Sequence, residues 1–238
     1  MDKIYKVKQI TSLYESCNEC GLPIINCICN KSAKVSTKAK LWILSSEREF
    51  YRPSNTARLL KLINPDSTEI FLWERTKSPE QLIENISMEK YTAYVLFPAE
   101  NEELEKRKVQ FERTDKIPAF IILDGTWKEA RKIFRKSDFL KGLPIVSIEP
   151  NYASNYDLRR GAAEGNLCTI EAAIEILKMN GELETSQAIY DYYNLFLKSY
   201  KAGVSGHKVK RITETSYNQK DFGFEKEPRT SSVETVWK

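Results

Sequence analysis

Two groups of residues in this chain have the types and spacing for unusual chemistry: a cysteine cluster near the amino end and an aspartate that closes an apolar run. Four of the five cysteines stand as Cys17-x2-Cys20-x6-Cys27-x-Cys29, with Gly21 and Pro23 after the second. Four thiolates in one short loop match the tetrahedral all-cysteine set of structural zinc, and Gly21 and Pro23 suit a knuckle-like bend. Reduced free thiols, or a redox Cys-x-x-Cys pair, are the competing readings; the redox pair leaves Cys27 and Cys29 without a role. A site closed by Cys17, Cys20, Cys27 and Cys29 has no open position for catalysis, so its metal is expected to be structural. Cys168 stands alone before a helix start, where a thiol is either activated or simply a small buried residue; no partner base is visible.

The aspartate is Asp124. Pro118-Ala119-Phe120-Ile121-Ile122-Leu123 reads as a buried strand that ends in Asp124-Gly125-Thr126-Trp127 and passes directly into a helix. In open α/β sheets ligands collect at the carboxyl ends of strands, and a glycine there lets the backbone turn tightly or approach a ligand. The turn alone also fits a plain helix N-cap at Asp124 with Trp127 in the core. His207 is the single histidine and lies in a polar stretch, a poor candidate for Ser-His-Asp or Cys-His catalysis, and histidine-rich metal sites are excluded.

The elements that must position these residues alternate. Runs of strand length occur at Leu41–Ser45, Glu69–Trp73, Tyr91–Phe97, Ala119–Leu123 and Ile145–Ile148. Helical spacing occupies Asn55 to Ile63, with Ser54 as its cap, and begins again at Thr126. A third helix, capped by Thr169, has the stripe Ile170, Ala173, Ile174 and Leu177, and a fourth spans Thr185 to Tyr200. The pattern predicts an α/β fold with a largely parallel sheet flanked by helices. Three parts are expected: a knuckle and basic linker over 1–40, the α/β domain over 41–202, and a polar tail over 203–238.

The chain has 238 residues, 41% hydrophobic and 29% charged, the composition of a soluble globular protein. No run of about 18 apolar residues predicts a membrane span, and the amino end lacks a signal peptide's apolar region, so a cytoplasmic location is expected. The net charge is +4. Residues 1–40 carry seven lysines against three acids, an excess equal to that of the whole chain. This reads as a solvated terminus or, beside a knuckle, as an RNA-facing element.

Several motifs in order resemble the DTW-domain family, whose Asp-x-Thr-Trp stands here as Asp124-Gly125-Thr126-Trp127. Cys17, Cys20, Pro23, Cys27 and Cys29 match its amino-terminal cluster, and Asn55-Thr56-Ala57-Arg58-Leu59-Leu60 a second segment. Leu96-Phe97-Pro98-Ala99-Glu100 matches a third. Leu158-Arg159-Arg160, with Leu167-Cys168-Thr169-Ile170-Glu171-Ala172, completes the set. The resemblance implies a fold akin to the knotted SPOUT methyltransferases. It also implies transfer of a 3-amino-3-carboxypropyl group from S-adenosylmethionine to uridine N3 in tRNA. On this reading Asp124 is the general base. Thr56, Leu96, Pro98, Glu100, Gly125, Thr126, Trp127, Arg159, Leu167 and Thr169 hold the cofactor. Trp127 lies near the sulfonium or fills the core. Arg159 holds the donor carboxylate or contacts phosphate or the surface, and Arg58 meets ligand or is a solvated helix face. The rival functions are a SPOUT-type RNA methyltransferase, the same transfer to ribosomal RNA, and a non-enzymatic zinc-knuckle RNA-binding protein.

Overall fold

The computed structural model describes residues 5–31, 33–148 and 167–209. Five strands form one parallel sheet: β1 (Lys40–Ser46), β2 (Thr68–Trp73), β3 (Tyr91–Leu96), β4 (Ile117–Asp124) and β5 (Ile145–Val146), in the order β2-β1-β4-β3-β5. The helices are α1 (Glu47–Tyr51), α2 (Ala57–Ile63), α3 (Glu80–Ser87), α4 (Glu102–Glu105), α5 (Trp127–Lys136), α6 (Thr169–Met179) and α7 (Leu183–Val204). Among the described residues no helix is long and apolar enough to cross a membrane.

The near-continuous apolar runs of β1 and β4 follow from burial on both faces. Alternate residues divide between two cores. Leu41, Ile43, Phe120, Ile122 and Val146 face α2, α6 and α7. Trp42, Leu44, Ala119, Ile121 and Ile145 face α3, α5 and Leu104 of α4. From β1 the chain moves through α2 to β2 at one edge; from β4 it moves through α5 to β5 at the other. The adjacent pair β1–β4 is therefore a topological switch point, where a crevice opens beyond the strand ends. In register, Ser45 of β1 sits opposite Asp124 of β4.

β5 is bonded on both sides. The Val95 and Phe97 amides of the β3 edge donate to Pro144 and Val146, while the Val109 amide donates to Ile145 and the Ile145 amide to Arg107. β5 thus lies between β3 and the segment that follows β3 in the chain.

The cysteine loop packs into the main core. Cys20, Leu22 and Ile28 share a cluster with α2, α6 and α7. Gly21 has φ +80°, and a Cβ there would meet the Pro53 carbonyl oxygen at 2.4 Å, so the loop turns left-handed against the α1–α2 connection. On its other side, the Asn26 side-chain amide donates to the His207 carbonyl at 2.8 Å and its oxygen accepts from the Val209 amide at 2.9 Å.

Three helix boundaries differ from the sequence reading. Thr56, not Ser54, is the cap residue of α2. Cys168, not Thr169, caps α6, because Glu171 reaches back to its amide at 2.9 Å. The last helix runs on to Val204, with Gly203 buried against Pro23. α3 has no counterpart in the sequence reading; its apolar residues are few and follow Pro79.

Candidate active site at the β1–β4 strand ends

Asp124 is 1% exposed. Its Oδ2 accepts from Ser45 Oγ at 2.5 Å and from Asn55 Nδ2 at 2.8 Å, and its Oδ1 accepts from Thr169 Oγ1 at 2.6 Å. The donors come from β1, the loop before α2 and the first turn of α6. One carboxylate therefore joins three elements that converge at the switch point. Asp124 is not the helix cap; Thr126 is, accepting from the Glu129 amide at 3.3 Å while the Glu129 carboxylate takes the Thr126 amide at 2.8 Å. These reciprocal bonds form a capping box. Gly125 is required by it, since a Cβ there would lie 2.9 Å from Glu129 Cβ. Burial pushes the Glu129 carboxyl up, but the Thr126 hydrogen bonds and the charges of Arg52 and Arg48 outweigh this and hold it below the ordinary value.

The Asn55 amide also donates to Glu49 Oε2 at 3.0 Å, so it bridges two buried carboxylates. Glu49 is ion-paired with Arg52. Thr56 Oγ1 accepts from the Ile170 amide at 3.3 Å, tying α2 to α6. Ser45, Glu49 and Asn55 line a cavity of about 210 Å³, together with Asn18, Glu19 and Arg58.

Of the residues expected at the site, Thr56, Asp124, Gly125, Thr126 and Thr169 are brought together here, and Leu167 precedes the α6 cap. Leu96 ends β3, beside Ile122 of β4. Pro98 and Glu100 are exposed just beyond it. Arg159 and its neighbours lie outside the described residues. Arg58 is no solvated face: its guanidinium donates to the carbonyls of Asn18, Phe50 and Arg52 at 2.9, 2.9 and 3.2 Å. Burial lowers its pKa, opposed by the charges of Cys20 and Asp124. Sequence reading gave no role to Ser45, Asn55 or Glu49. A signal existed for Ser45, a polar residue closing an apolar strand as Asp124 does.

Glu100 and Trp127 face a second cavity, of about 790 Å³, between α4 and α5. Trp127 stacks on Phe97 with centroids 5.4 Å apart, and Phe97 on Phe134 at 4.2 Å. The Arg131 guanidinium lies 5.1 Å from the Trp127 ring and pairs with Glu100 at 2.7 Å.

The cysteine sulfurs converge. Cys17 and Cys29 Sγ are 3.7 Å apart, Cys20 and Cys27 Sγ 3.8 Å, and all four lie within 4.8 Å. A tetrahedral zinc with bonds of ~2.3 Å requires sulfur separations of about 3.8 Å, so the set fits the metal. Burial pushes the Cys20 thiol up to about 12, with the Cys17 and Cys27 charges adding to it. Such crowding of thiolates suits a site built around a cation. Cys168 is the fifth. Burial pushes its thiol well up, and Tyr193 Oη lies 3.5 Å away, the surroundings of a packed residue rather than a nucleophile. His207 is exposed.

A parallel α/β sheet, a buried carboxylate held by three side chains at its switch point and a docked four-cysteine loop define the class of protein. The chain belongs to the DTW domain family, whose sequence model matches residues 14–201. It is similar to tRNA-uridine aminocarboxypropyltransferase 2 of Drosophila melanogaster, at 24% identity over 168 residues. That alignment covers 68% of this chain and 64% of the relative. No solved structure matches the chain.

Proposed function

We propose that this protein transfers the 3-amino-3-carboxypropyl group of S-adenosylmethionine to N3 of a uridine in tRNA. The observation that carries the reading is the Ser45–Asp124–Asn55–Thr169 network at the switch-point crevice, in a chain of this family. The similar Drosophila protein is named a tRNA-uridine aminocarboxypropyltransferase.

In the reaction the uracil N3–H proton leaves, N3 bonds to the γ-carbon of the methionine chain, and the γ-carbon–sulfur bond breaks. Its electron pair goes to the sulfonium, which departs as neutral methylthioadenosine. Asp124 lies beneath its three donors, so a pyrimidine entering the crevice meets the Ser45 or Thr169 hydroxyl first. Asp124 therefore acts through a hydroxyl: N3 gives its proton to Thr169 Oγ1, whose own proton passes to Asp124 Oδ1 over the 2.6 Å contact. General-base assistance of this kind contributes typically ~10²–10⁴-fold. Leu96, Gly125 and Leu167, at the ends of β3 and β4 and before α6, would hold the donor, which would have to present its γ-carbon rather than its methyl. Selection between the two carbons is orientation. β5, held between β3 and residues 107–109, supports a SPOUT-like threading of the chain. Cys17, Cys20, Cys27 and Cys29 hold zinc, which supplies folding energy to the knuckle and leaves no open position for catalysis.

The test is mass spectrometry of nucleosides from tRNA incubated with the protein and S-adenosylmethionine labelled separately in its carboxyl and methyl carbons. Carboxyl label in a modified uridine is expected. Methyl label in RNA makes the protein a methyltransferase, carboxyl label in ribosomal RNA incubated in parallel but not in tRNA moves the same transfer to that substrate, and no label in either RNA makes it a binding protein.

A further inference from the structure

The cavity between α4 and α5 is lined on one side by rings and on the other by cations. Phe134, Phe97 and Trp127 form a near-parallel column, with interplanar angles of 3° and 18°. Around them stand Lys128, Arg131 and Arg135 of α5, with Arg107 and Lys141, against the acids Glu100 and Glu103. The Arg107 guanidinium is committed to the Leu140 and Leu143 carbonyls. Arg131 is held by Glu100, and Lys141 by Asp138. Among the described residues neither Lys128 nor Arg135 has a carboxylate partner. An amphipathic helix explains the cations, because Ala130, Ile133 and Phe134 take its inner face. It does not explain why a tryptophan ring lines an open cavity among them.

An occupant of this space is flat where it meets the rings and anionic where it meets the rim. The excess of positive charge disfavours S-adenosylmethionine, whose sulfonium and ammonium outnumber its carboxylate. A nucleotide satisfies both demands: every base has a π face, and phosphate is the counterion of Lys and Arg. A volume of about 790 Å³ lies within the ~300–1,000 Å³ usual for such sites. Trp127 follows Asp124 by three residues, so their Cα atoms are at most about 11 Å apart, which makes the cavity a neighbour of the reacting centre.

We infer that this cavity binds an unpaired nucleotide of the RNA substrate adjacent to the modified uridine, its base stacked on Trp127 and its flanking phosphates held by Lys128 and Arg135. The inference rests on the RNA reading of the function and assigns Trp127 to the RNA rather than to the cofactor. The Arg131 guanidinium, 48% exposed in its side chain, covers Trp127 as a planar placeholder. An entering base takes its place, and the guanidinium turns to the adjacent phosphate.

Two measurements on the full chain test it. Short oligouridylate is expected to quench the intrinsic fluorescence of the native protein, and the Trp127→Phe variant is expected to lose that quenching while retaining binding. Trp127→Leu is expected to bind the oligonucleotide roughly 5- to 150-fold more weakly, the loss of one base–aromatic stack. The double variant Lys128→Ala/Arg135→Ala changes exposed residues only. It is expected to lower the slope of log affinity against log salt by about 1.4, two single-strand phosphate contacts. An unchanged slope together with unchanged affinity of Trp127→Leu overturns the inference, as does quenching by S-adenosylmethionine alone with none by the oligonucleotide. Nucleoside analysis of the native protein reports separately on the transfer reaction. Transfer with unaltered RNA binding in the variants sinks the cavity assignment alone. Altered RNA binding without transfer sinks the transferase reading alone.

Discussion

Replacing Asp124 by Asn separates its chemistry from its structural role. In the native site Oδ2 accepts two hydrogen bonds, from Ser45 and Asn55, and Oδ1 accepts one from Thr169. Ser45 is 2% exposed and Asn55 4%. Asp124→Ala leaves these two buried donors without this acceptor, at ~1–3 kcal/mol each. Asn55 keeps Glu49 at 3.0 Å, which moves its share to the low end. A loss of about 2–5 kcal/mol follows, or a fall in Tm of roughly 5–20 °C at this chain length. Asp124→Asn keeps an oxygen for Ser45 and Asn55 and turns its NH2 to Thr169 Oγ1, which can accept instead. Its stability cost is expected to be about 1 kcal/mol. An amide cannot receive the proton, so transfer is expected to fall ~10²–10⁴-fold. Urea unfolding and incorporation of carboxyl-labelled S-adenosylmethionine into tRNA report the two effects independently. Native-like incorporation by a folded Asp124→Asn protein refutes the proton relay. An Asn variant as unstable as the Ala variant refutes the hydrogen-bond accounting.

The remaining expectations concern the frame around the site. Elemental analysis is expected to find one zinc per chain, lost in Cys20→Ser together with a cooperative thermal transition; full stability without metal would remove its structural role. Gly21→Ala is expected to destabilise by more than the ~1–2 kcal/mol of a left-handed residue, because its Cβ also meets the Pro53 carbonyl; denaturant midpoints measure this. Thr126→Ala is expected to cost ~1 kcal/mol by removing the α5 cap. The Glu129 carboxyl is depressed in the folded state, so its contribution is present above the unfolded value and lost as pH falls through the folded one. The Thr126→Ala penalty should therefore shrink in acid, and unfolding midpoints above and below pH 4.5 check the sign.

What the sequence disclosed tracks how local each cause is. β1 and β4 were legible because strands buried on both faces must be apolar throughout. α5, α6 and α7 were legible from their stripes. α3 was not, since a short helix on the sheet surface needs only Leu82 fully buried. Strand order was out of reach, because parallel pairing is decided by crossovers and not by any residue of the strand. At the site, Asp124 and Thr169 were named from motifs. Their contact, and the arrival of Ser45 and Asn55 beside them, depend on packing across 79 and 69 residues of chain. Glu49 carried no signal at all; between Arg48 and Phe50 it reads as one more surface acid.

The docked cysteine loop alters what the metal can be expected to do. A knuckle on a flexible linker could lose zinc without consequence at Asp124. Here Arg58 holds the Asn18 carbonyl of the loop and the Phe50 and Arg52 carbonyls of the α1 region with one guanidinium. Arg52 pairs with Glu49, Glu49 shares the Asn55 amide with Asp124, and Asn55 opens the turn into α2. The Asn55 bonds are buried, while the Arg58 bond to the loop carbonyl is exposed, so a loop that relaxes on metal loss withdraws a carbonyl from Arg58 and loosens the frame that aims Asn55. The amino-terminal cluster therefore contributes to the crevice by fixing one wall of it, although no cysteine touches Asp124.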